Sequence, residues 1–147
     1  VNANWESTLK VRPYQTGDQL ELIALWRECN LVAPQNDPIK DIERKLKVDP
    51  DLFLVGVSEG RVIASVMGGY DGHRGWINYL AVKPSSQARG YGRELMSIIE
   101  RNIHSKGCPK INLQIRSSNA SVIAFYESLG YSDDNVVGMG KRLESDS

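Results

Sequence analysis

The spacing of apolar positions changes several times along the chain, and each change marks an element. Leu9 to Arg12, "LKVR", alternates and predicts a short first strand. Thr16 and Gln19 stand at capping-box spacing. Leu22, Leu25, Trp26 and Cys29 then recur at helical intervals, which predicts a helix over 18–30. Pro34 and Pro38 punctuate the loop "VAPQNDP". Ile42 and Leu46, four apart, predict a second helix over 39–48. The runs "LFLVGVS", "RVIASVMGGY" and Trp76 to Val82 read as three antiparallel strands, turned at "EG" and at "DGHRG".

Beyond Val82 the pattern becomes strand, helix, strand, helix. Leu95, Ile98, Ile99 and Ile103 lay one stripe along a helix that Gly107 and Pro109 stop. "KINLQI" reads as a strand. Asn119 or Ser118 caps a further helix with Val122, Phe125, Tyr126 and Leu129 on one face, and Gly130 ends it. A last strand is expected near Val136 to Leu143. The fold class is therefore α+β (α/β): one domain over 9–147, with a mixed, mostly antiparallel sheet of six to seven strands and about four helices. Residues 1–8, "VNANWEST", show no clear period and are expected to be a disordered or tag-derived segment.

Composition narrows the function. Eighteen Lys and Arg balance eighteen Asp and Glu, which argues against a nucleic-acid surface. The longest apolar runs are far too short to cross a bilayer, and no secretory pattern is visible. Cys29 and Cys108 do not form a disulfide framework and read as reduced packing residues of a cytoplasmic protein. Neither stands in a metal-ligand spacing with His73 or His104. A monomer and a homodimer are both compatible with the sequence.

The chemistry gathers in "QARGYG", Gln87 to Gly92, between a strand and a helix. A helix start carries unpaired N–H groups and the positive end of the dipole, and glycines let a ligand come close to the backbone. The result is an anion site suited to phosphate, with Arg89 and Arg93 adding charge. A P-loop needs Gly-Lys followed by Ser or Thr, which is absent. The spacing of a dinucleotide fingerprint is also wrong, and the strand after the helix ends in Arg116 rather than an acid.

"YLAVKPSSQARGYGRELM", followed about thirty residues later by "NASVIAFYESLGY", resembles the GNAT family of acetyl-CoA-dependent N-acetyltransferases. The segments "NDP", "DIERK", "MGGYDGHRG" and "GCPKI" resemble a bacterial subgroup, the YpeA-like acetyltransferases. The resemblance runs from Leu9 to about Leu143. It implies that acetyl-CoA (coenzyme A) is bound by Gln87, Ala88, Arg89, Gly90, Tyr91, Gly92 and Arg93 at its pyrophosphate, and by the main chain of Leu80, Ala81 and Val82 at its pantetheine arm. It also implies cofactor contacts from Asn119 and Phe125, and a proton from Tyr126 to the departing thiolate. Ser86, where the family carries a bulky residue, and Ala88, where Gly or Arg is frequent, depart from the pattern.

The implied reaction is acetyl transfer to a primary amine of a small molecule or peptide by direct attack in a ternary complex. A phenol with an ordinary pKa of about 10 is protonated at neutral pH and suits the acid role. Tyr126 equally fits the apolar helix face as a core residue. Neutralising a lysine-like acceptor at pH 7 costs roughly 4–5 kcal/mol, against about 1 for an α-amine, so only the former demands a strong base. The strand before the loop, Trp76-Ile77-Asn78-Tyr79, offers no acid, and Asp71, His73 and Asp37 remain open as bases. The acceptor site implied by the resemblance draws on Asn36, Asp37, Tyr70, Asp71, His73 and Tyr79. Two other readings stand beside the enzyme: a non-catalytic acyl-CoA sensor or regulatory module, and a partner-binding domain with an incidental glycine turn.

Overall fold

The structure, a computed structural model, describes residues 8–146. The segment 1–8 therefore lies outside the described residues except for Thr8, as does Ser147. The described chain divides into two compact units, residues 8–112 with Asp146, and residues 113–145.

The first unit is a five-stranded sheet in the order β1-β2-β3-β4-β5. Its strands are β1 Lys10–Pro13, β2 Phe53–Ser58, β3 Arg61–Tyr70, β4 Gly75–Val82 and β5 Ile111–Asn112. All neighbours are antiparallel except β4 and β5, which run parallel. The helices are α1 Gln19–Glu28, α2 Pro38–Lys45 and α3 Tyr91–His104. The expected "EG" turn is formed by Glu59 and Gly60, both at positive φ, between the paired residues Ser58 and Arg61. That is the backbone a two-residue hairpin requires.

The helices take opposite faces of the sheet. Leu22, Leu25 and Trp26 of α1 and Ile42 of α2 are buried in one cluster with Phe53, Val55, Met67 and Ala81. Each Leu, Ile, Val, Phe or Met side chain among them contributes about 1.5–3 kcal/mol of burial. On the other face, Leu95, Met96, Ile99 and Ile103 of α3 are buried. Gly68 lets α3 approach: a Cβ there would stand 2.8 Å from Ile99 Cγ1 and 3.0 Å from Ile103 Cδ1.

β4 carries one extra residue against β3. Ser65 pairs with Ala81, but Met67 pairs with Asn78, so Tyr79 and Leu80 share the space opposite Val66. Tyr79 takes φ +53 to do so. The bulge reverses the strand's faces. Ile77 pairs with Gly68, on the α3 side, whereas Ala81 packs with Trp26 on the α1 side. Four residues apart in a regular strand they would share a face.

The short turn Thr16–Asp18 that leads into α1 differs from expectation in one detail. The capping box is closed by Asp18, whose Oδ2 accepts from Gln15 N at 2.8 Å, one residue before the Thr16–Gln19 pair. Asp18 is buried and also takes both guanidinium nitrogens of Arg12, at 2.8 and 2.9 Å. These bonds hold its carboxyl below the ordinary range.

The second unit contains α4, Ala120–Ser128, capped by Asn119 and ended by Gly130 at φ +98. The expectation of six to seven strands is corrected to five among the described residues. "KINLQI" pairs over Ile111–Asn112 alone, although Leu113 and Ile115 continue the alternation half-buried. No strand forms over 136–143. Val137, Met139 and Leu143 share a face of period two, but Lys141 interrupts it, and Gly138 and Gly140 leave the other face almost without side chains. Val136, Val137, Met139 and Leu143 are 77–90% exposed.

Two outcomes follow from this packing. Gly68→Ala is expected to lower unfolding free energy by about 1–3 kcal/mol in urea titration, as overpacking does. Gly69→Ala, where an added methyl meets only Lys45 Nζ at 3.7 Å, should stay within about 0.5 kcal/mol, the range of ordinary surface changes. Asp18 has a depressed folded pKa, so its stabilisation is present above the unfolded value of about 3.9 and is lost as pH falls through the folded one. The stability gap between wild type and Asp18→Asn should be full at neutral pH and close on acidification below about pH 4. A gap that is constant with pH in denaturant titrations would refute it.

Candidate active site

The loop between β4 and α3 is shaped by alternating backbone signs. Ala88 has φ +65 and Gly90 φ +82. Gly90 is the N-cap of α3 and provides no side-chain cap. An added Cβ at Gly90 would meet nothing within 4 Å, so the space before the helix is open. The first bond inside the helix runs from Glu94 N to Gly90 O, at 3.0 Å. The amides of Tyr91 and Gly92 thus have no intrahelical acceptor and head a helix of fourteen residues. Arg89 is exposed beside them. This donor set fits a phosphate.

Two neighbours of those amides face elsewhere. Tyr91 is buried, and its hydroxyl shares a 2.7 Å hydrogen bond with Thr8 Oγ1. Gln87 folds back and donates from Nε2 to Val82 O at 3.0 Å. Both side chains brace the loop, leaving the main chain to line its mouth.

The end of β4 presents an open edge. Lys83 N bonds Ile63 O, so Val82, one residue earlier, turns its main chain away from β3. Ala81, in register with Ser65, turns toward β3 and buries its side chain. β5 pairs only with Gly75 and Trp76, so among the described residues no strand covers that edge from Ile77 to Val82. On it, the Val82 carbonyl already accepts from Gln87 and, at 3.4 Å, from Cys29 Sγ.

Tyr79 at the bulge is held by three partners. Its ring stacks on Trp26 with centroids 3.8 Å apart. Its carbonyl accepts from Ser65 Oγ at 2.8 Å, and Ser65 Oγ in turn accepts from Trp26 Nε1 at 3.0 Å. Its hydroxyl donates to Asp41 Oδ2 at 2.6 Å. Burial and then the Asp41 carboxylate raise the phenol's pKa well above its ordinary value, so it stays a neutral donor.

The remaining acceptor-site residues fall into two groups. Asp37 caps α2: its Oδ1 accepts from Ile39 N at 2.9 Å, and its own N–H donates to Asp146 Oδ2 at 2.9 Å. Asn36 is half-buried before it. Tyr70, Asp71 and His73 gather at the β3–β4 turn. Asp71 Oδ1 accepts from His73 N and Arg74 N, both at 2.7 Å, which depresses its carboxyl pKa. Its Oδ2 accepts from Trp76 Nε1 at 3.3 Å. Tyr70 donates toward the Gly72 and Gly107 carbonyls at 3.3 Å. From Gly75 to Tyr79 the strand runs about 13 Å, so this turn and the Tyr79 cluster are separate places.

In the second unit, Asn119 Oδ1 accepts from Val122 N at 3.4 Å as the cap of α4. Tyr126 is buried between the edges of Phe125 and Tyr131, with centroids 5.1 and 5.6 Å away. Burial pushes its phenol up to about 12.

Four residues near Tyr79 were missed in the sequence: Lys40, Asp41, Arg44 and Asp146. Arg44 bridges Asp41 Oδ1 at 3.3 Å and Asp146 Oδ1 at 2.8 Å. The three-residue spacing of Asp41 and Arg44 was a readable signal for that pair. Asp146, a hundred residues downstream, gave none. Among the described residues no His, Cys, Asp and Glu cluster could hold a metal ion, and no helix is long and apolar enough to cross a membrane.

Comparison with known proteins places this geometry. An acetyltransferase of Yersinia enterocolitica is 47% identical over 92% of this chain and 96% of its own length. One from Sodalis glossinidius is 49% identical over 94% and 98%. Among solved structures, AAC(6')-Iy, in complex with the bisubstrate analogue CoA-S-monomethyl-acetylneamine, superposes with TM-score 0.76 at 18% identity, over 92% of this chain and 99% of that one. Glucosamine-6-phosphate N-acetyltransferase from Arabidopsis thaliana gives TM-score 0.69 at 21% identity, over 94% and 100%. At such identities the structural likeness is one of fold. The model of the acetyltransferase (GNAT) family matches residues 19–131, and with it the chain belongs to that family, as an acetyltransferase that uses acetyl-CoA.

Proposed function

We propose that the protein transfers the acetyl group of acetyl-CoA to a primary amine of a small molecule or peptide, by direct attack while both substrates are bound. The observation that carries this reading is the mouth of α3. There the Tyr91 and Gly92 amides, without intrahelical acceptors, meet open space behind a left-handed Gly90. A pyrophosphate seated there accepts charge-assisted hydrogen bonds of about 1.5–3 kcal/mol each. The uncovered edge of β4 just upstream offers main-chain groups to the amide-bearing pantetheine arm, by the same pairing that adds a strand to a sheet. Donors fixed by a sheet also suit a thioester carbonyl, because they need no reorganisation as charge develops.

The departing thiolate needs a proton. We assign it to Tyr126, whose burial keeps the phenol protonated far above neutral pH. The base is a different matter. The carboxylate of Asp37 is engaged by a backbone amide as the cap of α2, and that of Asp71 by two backbone amides, which lower its pKa and make it a weak base. The reading therefore favours an acceptor whose amine loses its proton easily to water.

Three outcomes are expected. Tyr126→Phe should lower kcat by about a hundredfold in a thiol-release assay, the low end of general acid contributions. Because the pKa of Tyr126 is raised, its acid form persists to high pH, and wild-type kcat should hold between about pH 8 and about pH 10. A variant as fast as wild type would remove Tyr126 from the role. Gly90→Val forces a β-branched side chain into φ +82 and should weaken coenzyme A binding by about tenfold or more in calorimetry. Unaltered affinity would move the pyrophosphate elsewhere, and tight binding without turnover on any amine would favour the acyl-CoA sensor.

A further inference from the structure

The N-terminus of α2 holds a carboxylate from the protein's own chain. Asp146 Oδ2 accepts from the Asp37 N–H at 2.9 Å, and its Oδ1 accepts from Arg44 Nη2 at 2.8 Å. Its backbone carbonyl accepts from Lys40 Nζ at 2.8 Å. The side chain is only 4% exposed, so the seat encloses it. Its carboxyl is held down at about 2, by Arg44 first and the Asp37 amide second. On the other side of the same guanidinium stands Asp41, tied to Tyr79. A place that grips a carboxylate thus adjoins one that attracts a cation, and both lie at the bulge of β4.

We propose that this seat is the subsite for a carboxylate on the acceptor. The acceptor is then a primary amine that also carries a carboxylate, and Asp146 is its internal competitor. This rests on the reading of the protein as an amine acetyltransferase. The chemistry is asymmetric in the way recognition requires. One amide N–H and one guanidinium are aimed at two oxygens of a single carboxylate, which an amide or ester in the same place cannot satisfy. Lys40 adds positive charge at the rim. Asp41 keeps lone pairs beyond those taken by Tyr79 and Arg44 and can receive the acceptor's ammonium. A free amino acid and a short peptide both present this pair of groups, and they differ in the distance between them.

The test uses matched acceptors on the full chain: α-amino acids and dipeptides, each as the free acid and as the C-terminal amide. Wild type should favour the acids in kcat/KM by about tenfold or more, the value of losing one charge-assisted contact. Asp146→Asn, an isosteric change that keeps the tail in place, should lower KM for the acids and enlarge that preference, whereas Arg44→Gln should abolish it. The better of the two acid series identifies the source. Equal use of acids and amides by wild type and by Asp146→Asn overturns the proposal while leaving the acetyltransferase intact. If no amine is turned over, the enzyme reading fails, and the seat is tested alone by calorimetry of Asp146→Asn with N-acetylglycine against N-acetylglycinamide. Binding selective for the acid, and lost on adding Arg44→Gln, supports the carboxylate seat. Equal binding of both, or none, overturns it.

Discussion

The extra residue in β4 is the constraint from which the site follows. A non-glycine residue at φ +53 costs about 1–3 kcal/mol of strain and persists only where its surroundings over-determine it. Around Tyr79 they do. The stack on Trp26 contributes about 0.5–1.5 kcal/mol beyond its buried area. The chain from Trp26 Nε1 through Ser65 Oγ to the Tyr79 carbonyl fixes the backbone from one face, and Asp41 fixes the phenol at the far end. Ser65 is fully buried and satisfied on both sides, which makes it the pivot of the network. An apolar residue there would leave the Trp26 indole N–H and the Tyr79 carbonyl without their partner.

The bulge couples two places that a regular strand would keep apart. It turns Ala81 onto the α1 face while Ile77 remains against α3. Before the bulge, β4 has already lost its neighbour on the far edge, because β5 pairs no further than Trp76. The uncovered segment leads directly into the loop that Gln87 anchors to Val82. The groups proposed for donor recognition are almost wholly main chain: a strand edge and a helix mouth, consecutive in sequence. Tyr91 shows the same economy, with its side chain facing inward to Thr8 and its amide facing the opening.

That division explains what could be read in advance. The two long helices were legible because each has a buried stripe of helical period: Leu22, Leu25 and Trp26 in α1, and Leu95, Ile99 and Ile103 in α3; α2 and α4 were legible more from their caps, Asp37 before Pro38 and Asn119. The glycine loop was legible because a backbone that must turn left-handed before a helix leaves few residue choices. The bulge was not, since Ile77 to Val82 carries no glycine and reads as plain strand. The strand count failed where hydrophobicity was taken for pairing. Leu113 and Ile115 keep an alternating pattern without a ladder, and Val136 to Leu143 has β-formers interrupted by two glycines. Asp37 and Asp71 stood open in the sequence between a base and a local turn, and each closes the turn, as short carboxylates before a proline and in a hairpin commonly do.

Side-chain recognition leaves no comparable trace. Asp41 and Arg44 show in the sequence only the spacing of a helix-surface pair, and Asp146 shows nothing; the three come together as one guanidinium placed between two carboxylates. Arg44 is half exposed, so neither ion pair is worth much as a stabilising contact in salt. What gives the arrangement weight is its position, since it ends on the phenol that the strained bulge holds in place. A surface ion pair joined to a rigid element can orient a ligand at little cost in ordering, because its side chains are already fixed. An enzyme of this build can keep its donor site constant in backbone while a few substitutions on α2 redirect it to another acceptor. The two proposed subsites thus use different kinds of chemistry, and the one written in main-chain geometry is the more legible from sequence.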